Sequence, residues 1–458
     1  MQKTLFFKLL IISFLMLLLL IPLEMIHGII AARQARQVEV ENFVAASTAG
    51  PQAFIGPILV APYIERVTIK TIDDKGREKV ATSDVERKAY FFPASLSINI
   101  DVDVEQKHKG IYKALALGSK GAWKASYSVP ANLGLEIDAS HVTPGKAYLA
   151  FGLSDVRGIQ SHPQVKWQGT ALNVAQGSGV KAISQGFHAP IGKIDIRADQ
   201  VYEVELQLVS LGTRSLSIAP LGKNLSATVN SKWPHPNFGG QFLPRQKTIS
   251  GEGFSATWEV SQLASKNDDV LQRAIGLETP ILLDTSMAVG QAPHHGDFAI
   301  DTFSTAFIEP VNVYLKAERA VKYGIIFIAL TFAAIFILET LKKLRIHPLQ
   351  YGFIGLALAV FFLLVISLSE HIDFALAYLA ASTACIALLG YYLAHILKSR
   401  ARGFVFACLF TSLYGVLYAL LLSEDNALVL GALLLFAALA AIMALTRKVD
   451  WYDLGTNP

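Results

Sequence analysis

The chain has 458 residues, 52% of them hydrophobic and 17% charged, whereas soluble domains carry about a quarter charged residues, so a wholly soluble protein is not expected. A net charge of +4, with no Lys/Arg stripe interleaved with aromatics, gives no support to nucleic-acid binding. Both cysteines, Cys385 and Cys408, lie in apolar stretches, which excludes a disulfide within the more polar middle of the chain.

In chain order, the first element is an apolar run, Leu9 to Leu23, preceded by Lys3 and Lys8 and continuing past Glu24 to Ile30. It is long for the apolar region of a cleavable signal peptide, and Ala31-Ala32 is a poor cleavage site, so residues 1–30 are expected to form an uncleaved transmembrane signal anchor. Arg33–Ala49 reads as a helix continuing outward from that span.

Residues 31–319 have soluble composition and period-two patterning, which predicts strands. Leu96, Ile98, Ile100, Val102 and Val104 alternate with Ser97, Asn99, Asp101 and Asp103, and the pattern recurs in Val204–Leu208 and Phe254–Val260. Turns are expected at Asp73-Asp74-Lys75-Gly76, at Gly118-Ser119-Lys120-Gly121 and at Gly239-Gly240. An antiparallel sandwich, or a pair of them, fits this middle region. Pro310–Lys322 should return the chain to the membrane.

Five further spans are expected in residues 320–446: Gly324–Leu341, Gly352–Leu368, Phe374–His395, Phe404–Leu422 and Ala427–Leu445, each near the length of about 20 residues that crosses hydrocarbon. Residues 447–458 form a tail. Lys342, Lys343, Arg345, Lys398, Arg400, Arg402, Arg447 and Lys448 fall on the same side as Lys3 and Lys8, which predicts that both termini are cytoplasmic. The opposite short loops, Ser369–Asp373 and Ser423–Asn426, contain no Lys or Arg. On that side Arg33, Arg36, Lys316, Arg319 and Lys322 flank the large domain, which is expected in the periplasm.

Familiar catalytic motifs are absent from the sequence: no Gly-x-Ser-x-Gly, no His-Glu-x-x-His, no phosphate-binding glycine loop. His294-His295-Gly296-Asp297, with His235, offers imidazole and carboxylate, but adjacent histidines of a strand point to opposite faces, and a polar loop is the preferred reading. No catalytic, cofactor-binding or metal-binding residue is assigned, and no cofactor is expected. Trp233–Pro244 packs aromatics between prolines and glycines, either as a recognition loop or as a rigid connection whose aromatics plug the end of the sandwich; the plug is favoured. Glu339 stands three and four positions before Lys342 and Lys343, the spacing of ion pairs within a helix. Glu370, His371, Asp373, Glu424 and Asp425 lie at helix turns, where Asp373 or Asn426 can cap the next helix. Small residues at Ala377, Ala381 and Ala384, and at Gly431, Ala437, Ala441 and Ala444, suit close helix packing.

Ile346–Tyr351, Ile366–His371 and Thr446–Tyr452, with Gly56–Tyr63, Leu153–Ile159 and Trp233–Pro244 in the middle region, resemble the CreD-like inner-membrane proteins of Gram-negative bacteria, also described as cell envelope integrity proteins. The resemblance covers nearly the whole chain. It implies an inner-membrane protein whose production is linked to a two-component signalling system and which supports envelope integrity and tolerance to envelope-directed agents. It implies no known reaction and carries over no site residues. The expected function is therefore non-enzymatic: a periplasmic domain that binds an envelope protein, lipid or glycan, with the lipid bilayer as the other partner. The alternative is a transporter or flippase-like activity of the five-helix bundle, with Glu370, His371, Glu424 and Asp425 at its mouth.

Overall fold

The computed structural model describes residues 2–72, 78–283, 298–309, 313–342, 346–423 and 427–447. Contacts divide the chain into two units, one made of residues 39–310 and the other of residues 1–38 with 311–458.

The first unit is a β-sandwich with one covering helix. Its nine-stranded sheet is organised on Gln52–Ile72, which pairs antiparallel with Glu78–Phe91 and Ala147–Leu153 and parallel with Ser215–Ala219. The eight-stranded sheet is organised on Ser95–Lys109, antiparallel to Tyr112–Val129, which in turn pairs with Gln200–Thr213. The alternation read from the sequence is the burial pattern observed: Leu96, Ile98, Ile100 and Val102 point inward and the residues between them are exposed. A single core draws from both sheets, including Phe54, Leu59, Trp123, Tyr127, Leu206, Trp258 and Phe303.

Three local expectations differ. The sheets are mixed, not purely antiparallel, because Asn224–Ser231 runs parallel to Ser95–Lys109 as Ser215–Ala219 does to the other central strand. Gly118–Gly121 is not a turn but the interior of Tyr112–Val129, paired on both edges. The Trp123 ring lies over Gly121, so an aromatic fills the space its own strand leaves empty. Gly239-Gly240 likewise ends a strand, Pro236–Gly240, paired with Phe303–Phe307. Strands flank the expected turn at Asp73–Gly76, which lies outside the described residues.

A helix, Asn267–Gly276, covers the outer face of the nine-stranded sheet, burying Val270, Leu271 and Ala274 against Ile55, Ile58, Val60 and Ala150. Buried Asn267 holds it in place, donating to the Pro220 and Asp301 carbonyls at 2.8 Å each and accepting from the Asp301 N–H. Pairing every polar atom of a buried amide removes the penalty of its desolvation.

In the second unit the helices are α1 (Gln2–Ser47, whose last residues belong to the sandwich unit), α3 (Val313–Lys342), α4 (Pro348–Ser369), α5 (Phe374–Ile396), α6 (Arg400–Leu422) and α7 (Ala427–Thr446), with the covering helix of the sandwich as α2. Five of them, including α1, are long and apolar enough to cross a membrane, and α7 contributes a shorter apolar stretch, Val429–Ala444. The N-terminal helix is more than a tether. Ile12, Leu19, Leu23, Ile26 and Ile30 are buried along one stripe, at the three-, four- and seven-residue intervals that stack side chains on one helix face, and Leu19 and Leu23 lie against Gly355 of α4 and Gly324 of α3.

Candidate functional sites

Where α1 ends in the sandwich unit, two segments far apart in sequence, residues 155–157 and 213–214, hold its C-terminal end and the residues just after it. The Arg157 guanidinium donates to the Ala46 carbonyl at 2.7 Å and is itself held by Asp155, at 2.6 and 2.9 Å. Asp155 also accepts the Gly50 N–H at 3.1 Å. The Thr213 hydroxyl donates to the Ala49 carbonyl and its N–H to Gly50, while Arg214 reaches Glu41 and Asn42 at 3.1 and 3.0 Å. The last carbonyls of a helix have no partner within it, and cations favour that end. Leu153–Ile159, a family landmark in the sequence, is thus the segment that caps α1. The Arg157 guanidinium holds the Asp155 carboxyl below its ordinary range.

Trp233–Pro244 serves the sandwich interior. The Trp233 indole donates to the Ile308 carbonyl at 2.9 Å, Phe238 meets Phe254 and Trp258 edge-on at 5.6 Å each, and the Trp258 indole donates to the Phe242 carbonyl at 3.1 Å. The plug is what forms. Beside it the eight-stranded sheet ends in Gln246–Ser250, which among the described residues pairs only with Gly253–Ser261 and has every residue exposed. Leu243 is 71% and Ile249 48% exposed at this edge.

In the helical unit, the described partners of Glu339 are not those of an intrahelical pair. Its buried carboxylate is paired with Lys8 of α1, and it accepts the Ile346 N–H at 2.8 Å and the Tyr351 hydroxyl at 2.9 Å. The start of α4 brings these donors in: the His347 ring caps its first turn and Gln350 closes the reciprocal bond. At the other end of α1, the Arg33 Nε lies 3.1 Å from a Glu370 oxygen whose side chain is 9% exposed. Asp373 caps α5 as its position predicts, accepting the Ala375 N–H at 2.8 Å. Ile346–Tyr351 and Ile366–His371 therefore lie at two places, among the described residues, where the bundle meets a charge of α1. The signal missed was in α1 itself: Lys8 and Arg33 are 25 residues apart, about 37 Å of helix, against about 30 Å of hydrocarbon.

One close backbone approach lies away from the alanines singled out in the sequence. Gly390 and Ala394 of α5 face Gly403 and Ala407 of α6, and a Cβ on Gly403 would fall 2.8 Å from the Ala394 Cα. Ala377 and Ala381 are buried, whereas Ala384, Ala437, Ala441 and Ala444 are exposed. Among the described residues no three His, Cys, Asp or Glu side chains are grouped to hold a metal ion; His294–Asp297, Glu424, Asp425, Asn426 and Lys343 lie outside them.

Solved structures give little to compare. An M1 zinc metallopeptidase from Deinococcus radiodurans, as a mutant bound to a Tyr-Ser-Ala substrate, is 9% identical and aligns with 37% of this chain and 39% of its own at a TM-score of 0.21, too low to carry an argument. Among curated proteins, the inner membrane protein CreD of Escherichia coli (strain K12) is 35% identical over 455 residues, covering 98% of this chain and 94% of its own. The family model described as inner membrane protein CreD matches residues 4–452, the same span in which the α1 cap and the Lys8–Glu339 and Arg33–Glu370 pairs lie, and the chain belongs to that family.

Proposed function

We propose that this protein supports the cell envelope as a non-enzymatic binding protein, with both termini in the cytoplasm and its sandwich in the periplasm, where it engages an envelope component. The orientation rests on charge. Lys8, Lys398, Arg400, Arg402 and Arg447 all belong to one end of the bundle, and short loops rich in Lys and Arg stay on the cytoplasmic side.

The observation that carries the binding reading is the open sheet edge at Gln246–Ser250. An unpaired strand edge presents a row of backbone donors and acceptors that a second extended chain can complete, and Leu243 and Ile249 add apolar surface beside it. The transporter-like alternative is disfavoured by Glu370, which is already engaged by Arg33.

The test is photo-crosslinking in living cells from the full-length protein. Capture of one envelope partner from positions 246 and 248, lost on Lys247→Pro and not seen from exposed Lys124, supports the reading. Equal capture from both places, or none from the edge, overturns it.

A further inference from the structure

The N-terminal helix is polar on the side where a membrane helix should be apolar. Between Leu9 and Ile30 the polar side chains are Ser13, Glu24 and His27. The stripe that α1 buries in the bundle takes none of them, being made of Ile12, Leu19, Leu23, Ile26 and Ile30. Ser13 and Glu24 are exposed and His27 is half-buried. Glu24 is the costly member. It lies 16 residues from Lys8, so with Lys8 at one boundary of hydrocarbon about 30 Å thick, a rise of about 1.5 Å per residue puts it about 6 Å inside the other. Its side chain is 82% exposed, and among the described residues its carboxylate meets only the His27 ring, at 3.7 Å, too far for a hydrogen bond. Glu318 of α3, the other carboxylate near His27, is already held by Lys322 at 2.8 Å and Gln34 at 3.2 Å. Ionisable groups of membrane helices face protein, because an unpaired charge in hydrocarbon is expensive. What faces lipid in a single copy must therefore face protein in the assembly.

The spacing on that face says what covers it. Ser13, Leu17, Leu20, Glu24, His27 and Ala31 recur at alternating intervals of four and three, and all but His27 are exposed; this is the seam of a two-stranded, left-handed coiled coil. Gly28, where a Cβ would meet nothing within 4 Å, and Ala31 beside it let two backbones come close at the level of the polar pair. An acid and a base one turn apart on one face make that face complementary to itself about a two-fold axis. Two copies of one chain enter the membrane in the same direction, as a parallel pairing requires. A side chain at position 24 then packs into a hole bordered by positions 24 and 27 of the facing helix.

We propose that α1 is a dimerisation helix, pairing with α1 of a second copy of this chain along the seam from Ser13 to Ala31, with Glu24 of each copy accepting a hydrogen bond from His27 of the other. The seam is separate from the sheet edge, so it stands or falls independently of the binding partner of the sandwich.

The experiment is disulfide crosslinking of the full-length protein in native membranes, with exposed Cys408 replaced by Ser and single cysteines introduced along α1. Leu17→Cys and Leu20→Cys, on the seam, should give a disulfide-linked dimer. Leu18→Cys and Met25→Cys, also exposed but off the seam, should not. Combined with Leu17→Cys, Glu24→Leu should lower the crosslinked fraction about tenfold, while Glu24→Gln, which keeps a hydrogen-bond acceptor, should retain most of it; thermal unfolding in detergent checks that both variants fold. No dimer from the seam positions, equal crosslinking from Leu18→Cys and Met25→Cys, a dimer indifferent to Glu24→Leu, or capture of a different membrane protein by Leu17→Cys overturns the proposal.

Discussion

Single side chains carry two connections, one within each unit. Asp155 holds Arg157 so that the guanidinium can cap α1. Because the folded Asp155 carboxyl titrates below its unfolded value, its contribution to stability is complete above the unfolded carboxylate pKa of about 3.9 and is lost as pH falls through the folded value. Asp155→Asn should therefore lower stability at neutral pH and flatten the acid limb of the unfolding curve, measured by thermal scans from pH 3 to 7; an unchanged acid limb contradicts the assignment. Glu339 is the counterpart in the bundle. Glu339→Gln leaves Lys8 without its ion and should cost about 3 kcal/mol, seen as a lower unfolding temperature in detergent. Lys8→Met added to it should recover part of the loss in a double-mutant cycle, and full additivity would show that the pair is not coupled. Neither connection was legible in advance: the spacing of Glu339 to Lys342 and Lys343 satisfies a local rule, and nothing local signals a partner 331 residues away.

At the scale of elements, the sequence marked the helices and strands well because each is long and periodic. The alternation of Leu96–Val104 and the apolar blocks after Tyr323 admit few other readings, and Arg33–Ala49 does continue α1. Glycine pairs were the weak signal. Gly118–Gly121 marks a turn by composition yet sits inside a strand, where cross-strand bonding and an overlying Trp123 ring outweigh the local preference of glycine, while Gly240 ends its strand at a φ of 90° just before the chain bends. In the membrane, glycine instead decides helix contact. Gly403→Leu should separate α5 from α6 and cost about 1–3 kcal/mol, read by thermal unfolding, whereas Gly415→Leu, where a Cβ meets nothing within 4 Å, should be close to neutral. Equal losses at the two positions would remove the special role given to the Gly390–Gly403 contact.

For the molecule as a whole, the division into a sandwich and a helical unit was readable from composition, because only one of the two must satisfy hydrocarbon. The parallel pairings inside the sandwich were not, since they join strands separated by long crossovers that leave no periodic trace. The proposed orientation is checked with reporter fusions: phosphatase fused at Gly158 or Asp373 should be active, as befits the periplasm, and fluorescent protein fused at Ser399 should fluoresce, as befits the cytoplasm. The reverse pattern at any of these sites would overturn the orientation.

The Lys8–Glu339 and Arg33–Glu370 pairs also set an order of assembly. Lys8 and Arg33 enter the membrane with the first helix synthesised, but Glu339 and Glu370 belong to the last third of the chain. Until those helices arrive, α1 must wait with both charges at the water interface and its stripe of Ile12, Leu19, Leu23 and Ile26 facing lipid. The sandwich has a wait of its own, since Phe303–Phe307 completes the sheet begun at Gln52. A nascent chain stalled before Phe303 is thus an anchored, unclosed sandwich, and truncations there should be rapidly degraded, not merely inactive.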